Sequence, residues 1–99
     1  MNKLKKNSIM ITGASGFIGG SLMQSYRDEE QSVIGVDLRS NADDILEADL
    51  SNPEKIKEPM KHCDVIIHTA AMVSNAMSDE EMWKTNVLNT SKLIKLAIE

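Results

Sequence analysis

The residues with chemical promise begin in a run of small side chains, Thr12-Gly13-Ala14-Ser15-Gly16-Phe17-Ile18-Gly19, in which glycine recurs at every third position. Glycines at that spacing suit one task, holding a diphosphate against bare backbone. Gly13 permits a tight turn, Gly16 lets the main chain approach a pyrophosphate with no Cβ in the way, and Gly19 lets a following helix pack closely on its sheet. The N–H groups around Gly16, Phe17 and Ile18 and the positive end of a helix dipole then face the phosphate charge, with Ser15 inside the same turn. Asp37, eighteen residues beyond Gly19 and followed by Leu38, falls close to the spacing of about 20 at which an acid meets an adenosine ribose. Its carboxylate would accept hydrogen bonds from the ribose hydroxyls and repel a 2'-phosphate, which favours NAD over NADP. Two alternatives stay open. Asp37 can simply close a strand-end turn, and Arg39 can either welcome a 2'-phosphate or be a solvated loop charge.

For these groups to converge, strands and helices must alternate. Residues 8–12 form a short apolar run ending at a glycine, the pattern of a strand buried on both faces. Phe17, Ile18, Leu22 and Met23 fall at three- and four-residue spacings and predict a helix over 16–27. Strands are predicted at 32–37, 46–49 and 64–69, the last being the most hydrophobic. Ser51-Asn52-Pro53-Glu54 offers a capping residue and a proline suited to the first turn of a short helix reaching residue 61. Ser78-Asp79-Glu80-Glu81 has the form of a capping box for the last helix. On a wheel centred on Trp83, the residues Val87, Thr90, Ile94, Ala97 and Ile98 make a core stripe broadened by Met82 and Leu93, leaving Leu88 and Leu96 as surplus apolar surface.

The strand separations are too long for hairpins, so parallel strands joined by right-handed helical crossovers are implied. The predicted architecture is α/β: a partial, Rossmann-like doubly wound parallel sheet of four strands in the order 3-2-1-4, with helices on both faces. Its ligand crevice lies at the carboxyl ends of strands one and four.

Composition narrows the partners. Ninety-nine residues, 41% of them hydrophobic and 26% charged, suit one small domain with a modest core. Eleven Lys and Arg against fifteen Asp and Glu argue against a nucleic-acid binder and make an anionic membrane a poor partner. No stretch approaches the ~18 apolar residues of a membrane span, and the apolar run after the basic start is too short for a secretory signal. The cytoplasm is the expected location. Cys63, the single cysteine, cannot pair within the chain, and with His62 it lacks a third ligand, so no metal site is expected. His68 reads as a packed or hydrogen-bonded residue rather than an acid or base, and the seven methionines read as core filler.

Taken in order, Thr12 to Gly19, Asp37, Asp49-Leu50, His68-Thr69-Ala70-Ala71 and Asn86-Val87-Leu88-Asn89-Thr90 resemble the extended short-chain dehydrogenase/reductase family of NAD-dependent epimerases, dehydratases and reductases, over nearly the whole chain. The resemblance implies that Asp49 hydrogen-bonds an adenine amino group, that Leu50 contacts the ring, that Thr69, Ala70 and Ala71 line a dinucleotide, and that Asn86 lies near it. Read on their own, Asp49 can end a strand, 69–71 can be small because a helix packs nearby, and Asn86 can tie down loop backbone. Asn89 departs from the family pattern, which has glycine there.

In that family a Tyr-x-x-x-Lys pair beyond the segment resembled by Asn86 to Thr90 carries the hydride chemistry. The only tyrosine here, Tyr26, is followed four positions later by Glu30, so no catalytic residue is assigned. The expectation is therefore an amino-terminal dinucleotide-binding half spanning 1–99, ending inside an apolar helix with no stop signal and inert by itself. Self-association, as a homodimer, is expected through the last helix or the edge of strand four. The alternative is a non-catalytic NAD(P)-binding sensor or assembly module that keeps the same scaffold.

Overall fold

The computed structural model describes residues 8–40, 42–70 and 78–98. Its elements are β1 (Ser8–Thr12), α1 (Phe17–Asp28), β2 (Ser32–Asp37), β3 (Ile45–Glu47), a 3-10 turn at Pro53–Ile56 that runs into α2 (Lys57–Lys61), β4 (Val65–His68) and α3 (Asp79–Ile98). The four strands pair in parallel in the order β3-β2-β1-β4. This is the predicted Rossmann-like topology. Thr12 sits level with both Val36 and His68, so the last residues of β1, β2 and β4 open onto the same end of the sheet.

Central position explains the composition of β1. Ile9 and Ile11 pack with Ala14, Met23 and Ile45 beneath α1, whereas Met10 points the other way into a cluster of Val36, Leu50, Ile56, Met60, Leu93 and Leu96. Successive side chains face opposite layers, and both layers are apolar, so the strand reads as an unbroken hydrophobic run. Each such large side chain contributes about 1.5–3 kcal/mol on burial, which makes β1 the organising strand.

Several local expectations meet different fates. Asn52 stands at the start of the 3-10 turn but makes no side-chain capping bond, leaving Pro53 as the start signal. The third strand begins at Ile45, whose side chain the α1 layer buries, and stops at Glu47. At the other capping site the reciprocal bonds form: the Glu81 N–H donates to Ser78 Oγ at 3.1 Å, and the Ser78 N–H donates to Glu81 Oε2 at 3.3 Å. Helix α1 is closed just past its C-cap Glu29 by Glu30, whose φ of 58° is left-handed, while the N–H groups of Glu30 and Gln31 donate to the carbonyls of Arg27 and Tyr26. That pairing is a Schellman closure with glutamate where glycine is usual. Nearby, Arg27 grips both carboxylate oxygens of Asp44 at 2.6 and 2.8 Å and holds that carboxyl below its ordinary range, tying α1 to the loop before β3.

The largest correction concerns α3. The wheel centred on Trp83 selects the wrong face: Trp83 is 68% exposed and Ile98 79%, with Val87 and Ile94 also exposed, whereas Leu93 and Leu96 are buried. Leu96, read as surplus, is core; Leu88 is exposed as expected. The buried face runs through Asn86, Asn89, Leu93 and Leu96, at three- and four-residue steps. Its first half borders a cleft rather than the core and so carries amides. A purely apolar wheel therefore points away from it.

Candidate functional site

The glycine run forms a turn folded over the end of β2. Gly13 takes a φ of 73°, and the N–H groups of Gly13 and Ala14 both donate to the Val36 carbonyl, at 2.8 and 3.2 Å. A Cβ on Gly13 would lie 2.7 Å from Thr69 Oγ1 and 2.8 Å from the Ala70 nitrogen; one on Gly19 would run into the Gly13 carbonyl. Both glycines are required by close packing of the turn against β4 and α1. Gly16 differs, because a Cβ there would meet only the Gly13 carbonyl, at 3.3 Å. It occupies the N-cap of α1, makes no side-chain cap and is followed by no acidic residue in the first turn. The first N–H groups of the helix are thus not satisfied by a capping side chain, and they face an electrostatically positive end.

Asp37 reaches across to this turn. Its Oδ2 accepts from the Ser15 N–H at 2.8 Å and its Oδ1 from the Leu38 N–H at 2.7 Å, while the Ser15 hydroxyl donates to the Arg39 carbonyl at 2.9 Å. The carboxylate is fixed beside the glycines with lone pairs left on each oxygen. Further along, the Ser51 N–H donates to Asp49 Oδ1 at 2.9 Å and keeps that carboxyl below its ordinary range. Lys92 of α3 donates to the Ser51 carbonyl at 2.8 Å, pinning the loop against the helix.

Behind the turn, Thr12 is fully buried at the end of β1. Its Oγ1 accepts from the N–H groups of Thr69 and Ala70 at 3.1 and 3.3 Å and lies 2.6 Å from His68 Nδ1. With its lone pairs so engaged, the Thr12 hydroxyl donates to Nδ1. The ring hydrogen of His68 therefore sits on Nε2, which donates to Thr90 Oγ1 at 2.9 Å. Burial pushes the His68 pKa down. The side chain is a strut joining β1, β4 and α3, as its place at a strand end suggests.

These pieces enclose a cleft of about 280 Å³ at the carboxyl end of the sheet. Of the residues singled out by sequence, Gly13, Gly16, Asp37, Leu38, Asp49, Leu50, Thr69, Ala70 and Asn86 line it. Ser15 and Gly19 support the turn from outside the lining. Phe17 and Ile18 also lie outside the lining and turn their side chains to solvent, Phe17 being 92% exposed. Ala71 lies outside the described residues. Leu50 has a double role, as it also belongs to the core beside α3. Sequence reading missed Val36, Ala48 and, as a lining residue, Asn89. It also missed Gly35, where a Cβ would run into that of Ala14; a glycine inside a strand opposite a helix was the available signal. Among the described residues no cluster of His, Cys, Asp and Glu is placed to hold a metal ion, and no helix is long and apolar enough to cross a membrane.

A parallel 3-2-1-4 sheet with a glycine turn opening a helix at the point where the winding reverses defines a Rossmann-like protein. The sequence model of the NAD dependent epimerase/dehydratase family matches residues 9–99, and the chain belongs to that family. It is 30% identical over 95 residues to the 4-hydroxy-2-methyl-3-oxo-4-farnesyl-3,4-dihydroquinoline-1-oxide ketoreductase of Stigmatella aurantiaca, a match covering 88% of this chain and 28% of that enzyme. Among solved structures, a short-chain dehydrogenase/reductase superfamily protein from Agrobacterium tumefaciens with bound NAD superposes with a TM-score of 0.80 at 25% identity, over 91% of this chain and 28% of the other. The L-threonine dehydrogenase of Clostridium difficile gives 0.76 at 30% identity, over 93% and 33%. The chain spans 25–30% of the length of the first curated relatives it matches.

Proposed function

We propose that this chain binds NAD in the cleft and is the dinucleotide-binding part of an oxidoreductase, epimerase or dehydratase acting on a sugar nucleotide or another substrate with interconverting hydroxyl and keto groups. The observation that carries the reading is the uncapped glycine start of α1 opening beside a carboxylate held inward by two backbone N–H groups. In this reading the first-turn N–H groups at Gly16, Phe17 and Ile18 hold the pyrophosphate, with Gly13 and Gly19 shaping the turn and Ser15 tying it to Asp37. Asp37 accepts from the adenosine ribose hydroxyls, with Leu38 at the cleft mouth. Asp49 and Leu50 face the adenine, and Thr69, Ala70, Ala71 and Asn86 border the rest of the dinucleotide. Bound NAD supplies a hydride acceptor at its nicotinamide ring. The ketoreductase of Stigmatella aurantiaca, 30% identical to this chain, supports the hydroxyl/ketone chemistry.

The chain contributes no Tyr-x-x-x-Lys pair, and Tyr26 is spent on packing beneath α1. Binding without turnover follows. A carboxylate at position 37 repels a second phosphate on the same ribose, which favours NAD over NADP. The exposed apolar face of α3, together with the open β4 edge, favours association of two copies. Calorimetric titration with NAD, NADP and ADP-ribose tests the reading. NAD and ADP-ribose should bind and NADP more weakly; equal binding of all three would remove the role of Asp37, and no binding would remove the function.

A further inference from the structure

His68 is not among the residues lining the cleft, yet it holds the atom from which one wall of the cleft hangs. The fully buried Thr12 hydroxyl accepts from the Thr69 and Ala70 N–H groups at 3.1 and 3.3 Å and lies 2.6 Å from His68 Nδ1. Both lone pairs and the single hydrogen of that hydroxyl are engaged, an arrangement that closes only when Nδ1 is a bare acceptor. The Thr69 N–H has a second acceptor in the Thr12 carbonyl at 3.2 Å, whereas among the described residues the Ala70 N–H has only Thr12 Oγ1. Thr69 and Ala70 line the cleft and press on the glycine turn, since a Cβ on Gly13 would lie 2.7 Å from Thr69 Oγ1 and 2.8 Å from the Ala70 nitrogen.

A proton on Nδ1 breaks this arrangement. Thr12 Oγ1 would then face three N–H donors with two lone pairs, and its own hydrogen would lose its acceptor where no water reaches. Turning the ring over is no escape, because Nε2 donates to Thr90 Oγ1 at 2.9 Å and a flipped ring loses that bond to α3. Either the ring withdraws from Thr12 or the Ala70 N–H is released, and both displace the wall at residues 69–70. No neighbouring charge offsets the proton. Strand β1, the rest of β4 and residues 71–77 carry no titratable side chain. From α3 the ring meets Thr90; Lys84, Lys92, Lys95 and Glu81 lie on other sides of that helix, and Asp79 and Glu80 are about 15 Å or more along its axis. Asp64 binds the Ser8 N–H at the far end of the sheet, and the carboxylates at the cleft, Asp37 and Asp49, are turned to the N–H groups of Ser15, Leu38 and Ser51.

Resting on the NAD-binding reading above, we propose that His68 is a positioning residue for the dinucleotide, acting through Thr12, and that a proton on its ring and NAD in the cleft oppose one another across the wall at 69–70. Linkage fixes the sign: bound NAD must hold the ring neutral and so lower its pKa further, and affinity is full above the free chain's value and is lost as pH falls from there toward the bound value. Burial already sets that free value below 6.5.

The test follows NAD affinity of the 99-residue chain by calorimetry from pH 7.5 to 5.0, with circular dichroism to show that it stays folded, beside His68→Asn, whose Oδ1 takes the place of Nδ1 and accepts at every pH. Affinity of the parent should fall by about threefold or more over this range, with a slope no steeper than tenfold per pH unit, the limit for one proton, and fall less in the variant. The His68 ring is also titrated in the parent by its Cε1 chemical shift, with and without NAD, which decides the matter even where the variant does not fold. Its pKa should drop when NAD is bound. Parallel pH profiles of affinity in parent and variant, or a ring pKa indifferent to NAD, would overturn the proposal by reducing His68 to a support of the fold while leaving NAD binding intact. Failure of the parent to bind NAD at pH 7.5 would instead overturn the functional reading, and this proposal with it.

Discussion

Asp37 and His68 are each held by two hydrogen bonds, and the protonation state each requires makes them sensitive to different changes. Asp37 acts as an acceptor. Replacing it with asparagine keeps the size but removes the charge, so Asp37→Asn should weaken NAD binding by about tenfold and nearly abolish discrimination against NADP, as charge-assisted bonds are worth about 1.5–3 kcal/mol. His68 must be neutral, because Nδ1 accepts from Thr12. Its pKa lies below the ordinary 6.5, so the unfolded chain takes up a proton at a higher pH than the folded one does. The stability tied to neutral His68 is therefore complete above 6.5 and is lost as pH falls from there toward the lowered folded value. Melting temperature should fall across that interval in the parent and fall less steeply in His68→Gln; a parallel pH profile for the two would contradict the strut.

At the scale of elements, the turn and helix α1 have little slack. Gly19→Ala places a methyl group against the Gly13 carbonyl and should cost about 2–3 kcal/mol, read from urea unfolding, with loss of nucleotide binding because the turn is displaced. The C-terminal end of the same helix is improvable. Glu30 pays for a left-handed backbone that glycine adopts freely, so Glu30→Gly should raise stability by about 1 kcal/mol with binding unchanged. These elements also show what a sequence discloses. Strand β1, the glycine turn and the Ser78-Glu81 box were legible because each is written in adjacent residues: an apolar run, a three-residue glycine period, a reciprocal cap. The buried face of α3 was not, since it depends on where the cleft lies, and asparagines at the site lower the apolar signal of the face that packs. Asn89 and Ala48 come to the cleft from segments some forty residues apart, and no local pattern announces that they meet.

The whole molecule is asymmetric. One edge of the sheet is the three-residue β3, whereas the other, β4, is apolar, with Val65 exposed and α3 beside it carrying Trp83, Val87, Ile94 and Ile98 outward. That surface should make the chain associate with itself as concentration rises, and Trp83→Glu combined with Ile94→Glu should shift sedimentation toward the monomer without altering nucleotide affinity. Equal sedimentation of parent and variant would place the contact elsewhere. From α3 the cleft is lined by Asn86 and Asn89, whereas Trp83 and Ile94 are not among its lining residues, so binding and association are separable. Amide chemical shifts recorded during a titration with NAD test the central claim directly. The account predicts the largest changes at Gly13, Ser15, Gly16, Phe17 and Ile18, with Leu38 and Asp49 following. Shifts confined to the outer face of α3, with the glycine turn unmoved, would contradict it.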